Sequence, residues 1–243
     1  MSNTRKERQA RTAMLFPAAG LEALWDAHVM IFGLGGVGSY TAEALCRSGI
    51  GRLTLVDADT VALSNLNRQL PALHSTIGQP KVQVVRQRLL DIAPDACIES
   101  IQAFHLPETP VSIPEDVSFV VDAIDTVSAK LHLAVTCHER NLPFISCMGM
   151  GNRLDPTQVR IGDLFETSDC PLCRVMRREL RRLHLPALRC VYSTEKSRSP
   201  FFPEETESSA DRRSSPGSVA YVPAVAGLYL AYDVVNRLCG VNM

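Results

Sequence analysis

A doubly wound α/β fold on a mostly parallel, Rossmann-like sheet is the class this sequence predicts, and three observations carry the prediction. Short β-branched runs alternate with stretches of helical apolar spacing, the pattern of a parallel sheet covered on both faces. The first run leads into Gly33-Leu34-Gly35-Gly36-Val37-Gly38-Ser39, a G-x-G-x-x-G turn that opens a helix. The second run ends in an acid, Asp57, 24 residues after Gly33.

In chain order, residues 29–32, 53–56, 97–101, 119–121 and 144–147 are the expected strands. Helices are expected over 38–48, 81–92 and 127–140, with Pro94 and Pro143 closing two of them. After Gly149 the texture changes to a turn-rich segment, a helix from about 171 to 185 and a strand near Val191. The stretch of about 197–216 is rich in Ser, Pro and charge and nearly free of aliphatic residues, so a mobile loop is expected there. An apolar helix from about 219 to 238 then returns the chain to the core. The whole reads as a single domain, 1–243, with a nucleotide-binding core of about 13–149 and a substrate- or RNA-facing extension of about 150–243.

Composition removes several classes. The 243 residues are 46% hydrophobic and 21% charged, which excludes collagen-like, disordered and disulfide-miniprotein chains. Lys and Arg number 25 against 26 Asp and Glu, so any nucleic-acid contact must come from a local patch. The eight cysteines have no framework spacing and the start has no signal-type apolar stretch, so a reducing cytoplasm is the expected home. Residues 214–232 carry no charge, but Pro216, Gly217, Ser218 and Pro223 interrupt them. The expectation is a buried helix, at a subunit interface or in the core, and no membrane span.

The glycine turn places backbone N–H groups and a helix N-terminus around an anion, and Asp57 can accept hydrogen bonds from a ribose diol. To this point NAD and ATP are indistinguishable. Beyond it, Asp57-Ala-Asp59 leads to Asn65, Asn67 and Arg68, and Lys81 opens the next helix. These place an Asn, an Arg and a Lys where a triphosphate would extend. A hydride enzyme leaves its pyrophosphate intact and needs no such row of cations; an enzyme that breaks the α–β bond must stabilise charge on the leaving group. Asp122 and Asp125 sit at the carboxyl edge of the fourth strand, where ligands of open α/β sheets bind. Asp125 reads as a Mg2+ ligand, as a cap of the following helix, or as both. Asp122 reads as structural.

GLGGVGS, LVDADTVALSNLNRQ, the Lys81 in GQPKV and the DAID edge together resemble the ThiF/MoeB/HesA superfamily of ubiquitin-activating-type adenylyltransferases, over nearly the whole chain. Within it, SCMGMGNRLDPTQ, CPLCRVMRREL, VYSTE and PGSVAYVPAVAG are similar to motifs of the tRNA threonylcarbamoyladenosine dehydratases. The resemblance implies that Gly33, Gly35, Gly36, Gly38 and Ser39 hold the phosphates of ATP, with Asp59 among the nucleotide contacts. It implies that Asp57 holds the ribose, that Arg68 and Lys81 hold the α-phosphate and leaving pyrophosphate, and that Asp125 holds Mg2+. Asn65 would be a polar contact to phosphate or metal. Arg11 matches an arginine that reaches the partner's nucleotide in dimeric relatives; otherwise it belongs to a solvated basic tail. A homodimer is therefore expected. The implied reaction adenylates the carboxylate of a threonylcarbamoyladenosine in tRNA, whose carbamoyl group then closes a ring with net loss of water.

The cysteines depart from the relatives that carry two C-x-x-C pairs around zinc. This chain has one pair, Cys170 and Cys173, and only Cys147 and Cys190 as distant complements, so zinc is not expected. Cys190 is a candidate acyl-accepting thiol, although its apolar neighbours Leu188 and Val191 favour a buried strand cysteine. Arg174, Arg177, Arg178, Arg181 and Arg182 fall on one helical face with only Glu179 to offset them. That face suits an RNA backbone, the bland alternative being a solvated surface. Two other functions stay open: activation of the C-terminal carboxylate of a ubiquitin-like sulfur carrier, and a non-catalytic nucleotide-binding tRNA or sulfur-relay adaptor. A sulfur-relay protein is a further conceivable partner.

Overall fold

The computed structural model describes residues 3–168, 170–199 and 216–241; most of the expected loop, 200–215, lies outside the described residues. Seven strands form one sheet: β1 (His28–Phe32), β2 (Arg52–Val56), β3 (Cys97–Ile101), β4 (Phe119–Asp122), β5 (Phe144–Cys147), β6 (Val159–Asp163) and β7 (Arg189–Ser193). Their order is β3-β2-β1-β4-β5-β7-β6. All neighbours are parallel except β6, which runs antiparallel to β7 with Ile161 opposite Val191. Seven α-helices accompany them among the described residues: α1 (Asn3–Arg8), α2 (Ala18–Asp26), α3 (Gly38–Ser48), α4 (Lys81–Ile92), α5 (Val127–Glu139), α6 (Pro171–Arg182) and α7 (Tyr221–Leu238).

The expected elements form where their end signals sit. Helix α3 starts at Gly38 and stops at Gly49, whose φ of 100° is the left-handed C-cap that glycine adopts without a Cβ penalty. Pro80 precedes α4, and Pro171 opens α6. The unpredicted elements are short or peripheral. Helix α2 has only Gly20 and Leu24 buried, and β6 is an edge strand that alternates a buried Val159 with an exposed Arg160 and contains Gly162. The basic start is helical in part: the Arg5 guanidinium lies 3.7 Å above the Trp25 ring, and Arg8 pairs with Asp95 at 2.6 Å.

One core joins both parts of the chain. Val29, Ile31, Leu53, Leu55 and Val121 of the sheet pack with Leu45 and Leu89, and with Val222, Ala226, Leu230 and Val234 of α7. Close approach of α7 to α3 requires glycine: a Cβ at Gly227 would sit 2.4 Å from the Val37 carbonyl oxygen. Thr41 Oγ1 donates to the Gly227 carbonyl at 3.0 Å in the same seam. The uncharged run therefore becomes a core helix, and among the described residues no helix is long and apolar enough to cross a membrane. Its outer stripe is apolar as well, with Tyr221, Leu228, Tyr229 and Tyr232 exposed. Because β1 connects to β2 on one side and pairs with β4 on the other, a crevice opens at the carboxyl ends of β1 and β4.

Candidate active site

The turn between β1 and α3 occupies that crevice. Gly33 has φ 89°, and a Cβ there would meet the Ala123 carbonyl oxygen at 2.7 Å; one at Gly38 would lie 1.8 Å from the Gly33 oxygen. Only glycine fits these positions, and the turn leaves its backbone N–H groups unscreened by side chains there. Val37 at the N-cap of α3 provides no side-chain cap, which leaves the helix end open to negative charge.

Asp57 ties β2 to this turn. Its Oδ2 accepts the Leu34 N–H at 2.6 Å and its Oδ1 accepts the Asp59 N–H at 2.8 Å. Burial pushes its pKa up, against the pull of those two amides and of Lys81. A ribose would share a carboxylate already engaged in holding the turn. Lys81 is brought to the same corner by the Thr60–Pro80 bridge: its Nζ donates to Asp59 Oδ2 at 2.7 Å while the side chain stays 6% exposed. Arg68 closes the rim. Its stem lies 3.5 Å from the Cβ position of Gly36, and its guanidinium donates to Ser64 O at 3.0 Å and Asn67 Oδ1 at 2.8 Å. Among the described residues it faces no carboxylate.

Two expected contacts point elsewhere. Ser39 is wholly buried; its hydroxyl donates to Gly35 O at 2.6 Å and accepts from Leu70 N, and its own N–H also bonds Gly35 O. It braces the turn from behind instead of meeting a phosphate. Asn65 Oδ1 accepts the Ala62 N–H at 3.0 Å, which closes its own 3-10 turn. Beside the turn stands a group the sequence reading passed over: Gln69, buried, whose Oε1 has no partner among the described residues and whose amide nitrogen is 3.7 Å from the Gly35 Cβ position.

At the end of β4 the two acids divide. Asp122 is fully buried, with Lys130 Nζ at 2.7 Å and Ser146 Oγ at 2.5 Å. Asp125 is exposed and, among the described residues, its carboxylate has only the Thr126 hydroxyl as a hydrogen-bond partner, at 3.5 Å. The N-cap of α5 is Thr126, without a side-chain cap bond, so Asp125 does not cap the helix. A free carboxylate at a polyphosphate edge fits Mg2+, which takes one or two carboxylates and completes its shell with phosphate and water oxygens.

The remaining candidates lie outside this cluster. Arg11 is exposed just ahead of the 3-10 turn Thr12–Met14, beside the exposed Met14 and Leu15, with no partner among the described residues. Cys190 is fully buried, and burial raises its thiol far above the ordinary range; this is the buried strand cysteine that its apolar neighbours favour, not an accessible thiol. Cys170 caps α6 by accepting the Cys173 N–H at 3.5 Å, and the Cys173 thiol holds it below the ordinary thiol range.

The arginine face is narrower than its spacing suggests. Arg177 turns inward to the Thr167 carbonyl and hydroxyl. Glu179 takes both Arg178, at 2.6 Å, and Arg182, at 3.1 Å. Arg181 lies 5.5 Å above the Phe165 ring, and Arg174 is exposed without a partner among the described residues. A cavity of about 500 Å3 lined by His138, Phe144, Leu188, Arg189 and Arg237 opens at the opposite, amino end of the central strands.

Comparison with known proteins finds relatives over nearly the whole chain. A tRNA threonylcarbamoyladenosine dehydratase of Bacillus subtilis (strain 168) is 39% identical over 237 residues, covering 94% of this chain and 93% of the relative. The structure of the Escherichia coli tRNA N6-threonylcarbamoyladenosine dehydratase TcdA in complex with ATP superposes with a TM-score of 0.87 at 30% identity, covering 98% of this chain and 96% of that one. Its complex with AMP gives 0.85 at the same identity. The ThiF family model matches residues 7–243, and the chain belongs to the ThiF family.

Proposed function

We propose that this chain is an ATP-dependent tRNA threonylcarbamoyladenosine dehydratase. The observation that carries the reading is Arg68, a cation that faces no acid among the described residues, packed against Gly36 of a turn whose Gly33 and Gly38 leave no room for a side chain. Such a fixed charge, not paired directly with a carboxylate, serves a reaction in which negative charge grows on a leaving phosphate. The kinship to dehydratases over almost the full chain supplies the substrate class.

On this reading a carboxylate oxygen of the substrate attacks the α-phosphorus of ATP, and the bond from that phosphorus to the β-phosphate bridging oxygen breaks. Pyrophosphate leaves with the electron pair, met by Arg68 and Lys81. The carbamoyl group then attacks the acyl carbon, the bond to AMP breaks, and the attacking group loses its proton. The carboxylate oxygen departs with AMP, so the modification is lighter by one water. Ring closure is intramolecular, with the large effective molarity that brings, and no protein nucleophile is required. That suits the burial of Cys190. Asp125 would hold Mg2+, which neutralises phosphate charge when bound.

Arg174 and Arg181, exposed and without a carboxylate partner among the described residues, are the arginines of α6 that would meet an RNA backbone. The exposed stripe of Tyr221, Leu228, Tyr229 and Tyr232, and the exposed Met14 and Leu15, support a homodimer, and the exposed Arg11 ahead of Met14 supports a contact to the other protomer's nucleotide. The free thiols suit a reducing cytoplasm. The test is to incubate the protein with ATP, Mg2+ and tRNA from cells lacking this activity, then digest the tRNA and weigh its nucleosides. A threonylcarbamoyladenosine lighter by one water, with AMP and pyrophosphate, is expected. Unchanged nucleosides alongside pyrophosphate release on a sulfur-carrier tail would replace the substrate.

A further inference from the structure

Asp122, Lys130 and Ser146 are buried with no exposed surface, beneath the edge that carries Asp125. Lys130 Nζ donates to Asp122 Oδ2 at 2.7 Å and contacts Ser146 Oγ at 3.2 Å, and Ser146 Oγ donates to the same Oδ2. The second oxygen, Oδ1, accepts the Ile124 N–H at 3.0 Å. On α5, position 130 belongs to the buried stripe of Ala129, Leu133, Ala134 and Cys137, where folding alone would be served by an apolar side chain. A buried ion pair is a weak stabiliser, and apolar replacements of both partners are often neutral or better. The pair therefore calls for a reason other than stability.

The reason lies in what Asp122 holds. Through the Ile124 amide its carboxylate fixes residues 122–125, the turn that leads to Asp125. The same turn lies under the glycine turn: Ala123 N donates to Phe32 O at 2.8 Å, Ala123 O is the atom that excludes a side chain from Gly33, and Ala123 Cβ lies 3.1 Å from the Cβ position of Gly38. An apolar pair would fill the space and leave this turn without its anchor.

We propose that Lys130 is a positioning residue for adenylation, acting through Asp122 to hold the turn of residues 122–125 in register with the glycine turn. The proposal rests on the adenylation reading. Lys130→Met alone leaves a buried carboxylate unpaired, so the informative variants are the double Asp122→Asn/Lys130→Met, which removes both charges, and Ser146→Ala, which removes one donor. Both are compared with the intact chain for thermal unfolding, ATP–pyrophosphate exchange with substrate tRNA, and hydrogen exchange at Ile124 and Leu34. The double variant is expected to lose about tenfold or more in kcat, with KM for ATP within about twofold, as for an interaction felt in the transition state. Ser146→Ala should lose less, in the same direction. Exchange at Ile124 should accelerate about tenfold while Leu34, held by Asp57, keeps its protection. Unaltered kcat in either folded variant, or unaltered Ile124 exchange, overturns the proposal. Absence of exchange activity in the intact chain would instead refute adenylation, and the Ile124 measurement would still decide whether Lys130 holds the turn.

Discussion

Replacing Arg68 by alanine pulls stability and turnover apart. In the fold the guanidinium makes two partly exposed hydrogen bonds, to Ser64 O at 3.0 Å and Asn67 Oδ1 at 2.8 Å, both within four residues of its own position. At about 0.5–1.5 kcal/mol for a hydrogen bond, and less where water can substitute, the variant should lose about 1–2 kcal/mol. That lowers Tm by only a few degrees in a chain of this length. A fixed donor to charge developing in the transition state is worth about 2.7–4 kcal/mol, or a factor of about 10²–10³ in kcat. The assay is release of pyrophosphate and of the dehydrated nucleoside at saturating ATP, beside a thermal melt. Arg68→Lys keeps the charge without the planar fork and should recover only part of the loss. A loss below about tenfold in a protein that melts normally would remove Arg68 from the chemistry.

Other expectations follow from buried groups. His105 Nδ1 accepts the Val111 N–H and its Nε2 lies 2.9 Å from His132 Nδ1; burial, with His132 beside it, lowers its pKa from 6.5 to about 4. The unfolded chain then binds the extra proton first, so stability is complete above about pH 6.5 and falls by up to about 3 kcal/mol toward pH 4. Urea titrations across that range should show the loss, and His105→Asn should flatten it; a slope that persists would place the titration elsewhere. Cys190→Ala should keep turnover within about twofold while losing about 1–2 kcal/mol of stability to a small cavity; a tenfold loss of turnover in nucleoside analysis would restore the thiol. Arg174→Ala and Arg181→Ala should each reduce the salt slope of tRNA binding by about one unit, whereas Arg178→Ala, paired with Glu179, should change it less. Equal slopes for all three would make α6 an ordinary surface.

What the sequence made readable was local. The glycine turn, the helix it opens and the stop at Gly49 are encoded in adjacent residues, and α3 and α4 begin and end where those residues say. Contacts between distant residues were not readable. Ser39 sits in the motif at a phosphate position, yet its hydroxyl turns to Gly35 and Leu70. Glu179 looked too little to neutralise five arginines, and one carboxylate reaching two of them narrowed the face. Lys130 did leave a signal, a lysine on an otherwise apolar helical stripe, but its partner lies on another element. Strand β6 is an edge with one buried residue, too weak a pattern to separate from a loop.

Charge at the site argues for a second copy of the chain. Arg68 and Lys81 stand against Asp57, Asp59 and Asp125, two positive groups against three negative, before any phosphate arrives. A triphosphate adds to the negative charge, which a divalent cation or a further cationic side chain would offset. On the adenylation reading, we propose that Arg11 of a second copy would meet that charge. Arg11→Ala and Arg68→Ala, each expected to lose most of its turnover alone, test this when mixed. If each site uses Arg68 of one copy and Arg11 of the other, every mixed dimer has one intact site, and an equal mixture should recover about a quarter of full turnover. An arginine acting within its own chain gives no recovery, because each chain of the mixture still lacks one of the two. Recovery that falls on dilution, in step with dissociation measured by sedimentation, would tie the activity to the dimer; a mixture that stays inactive while sedimenting as a dimer would refute the shared site.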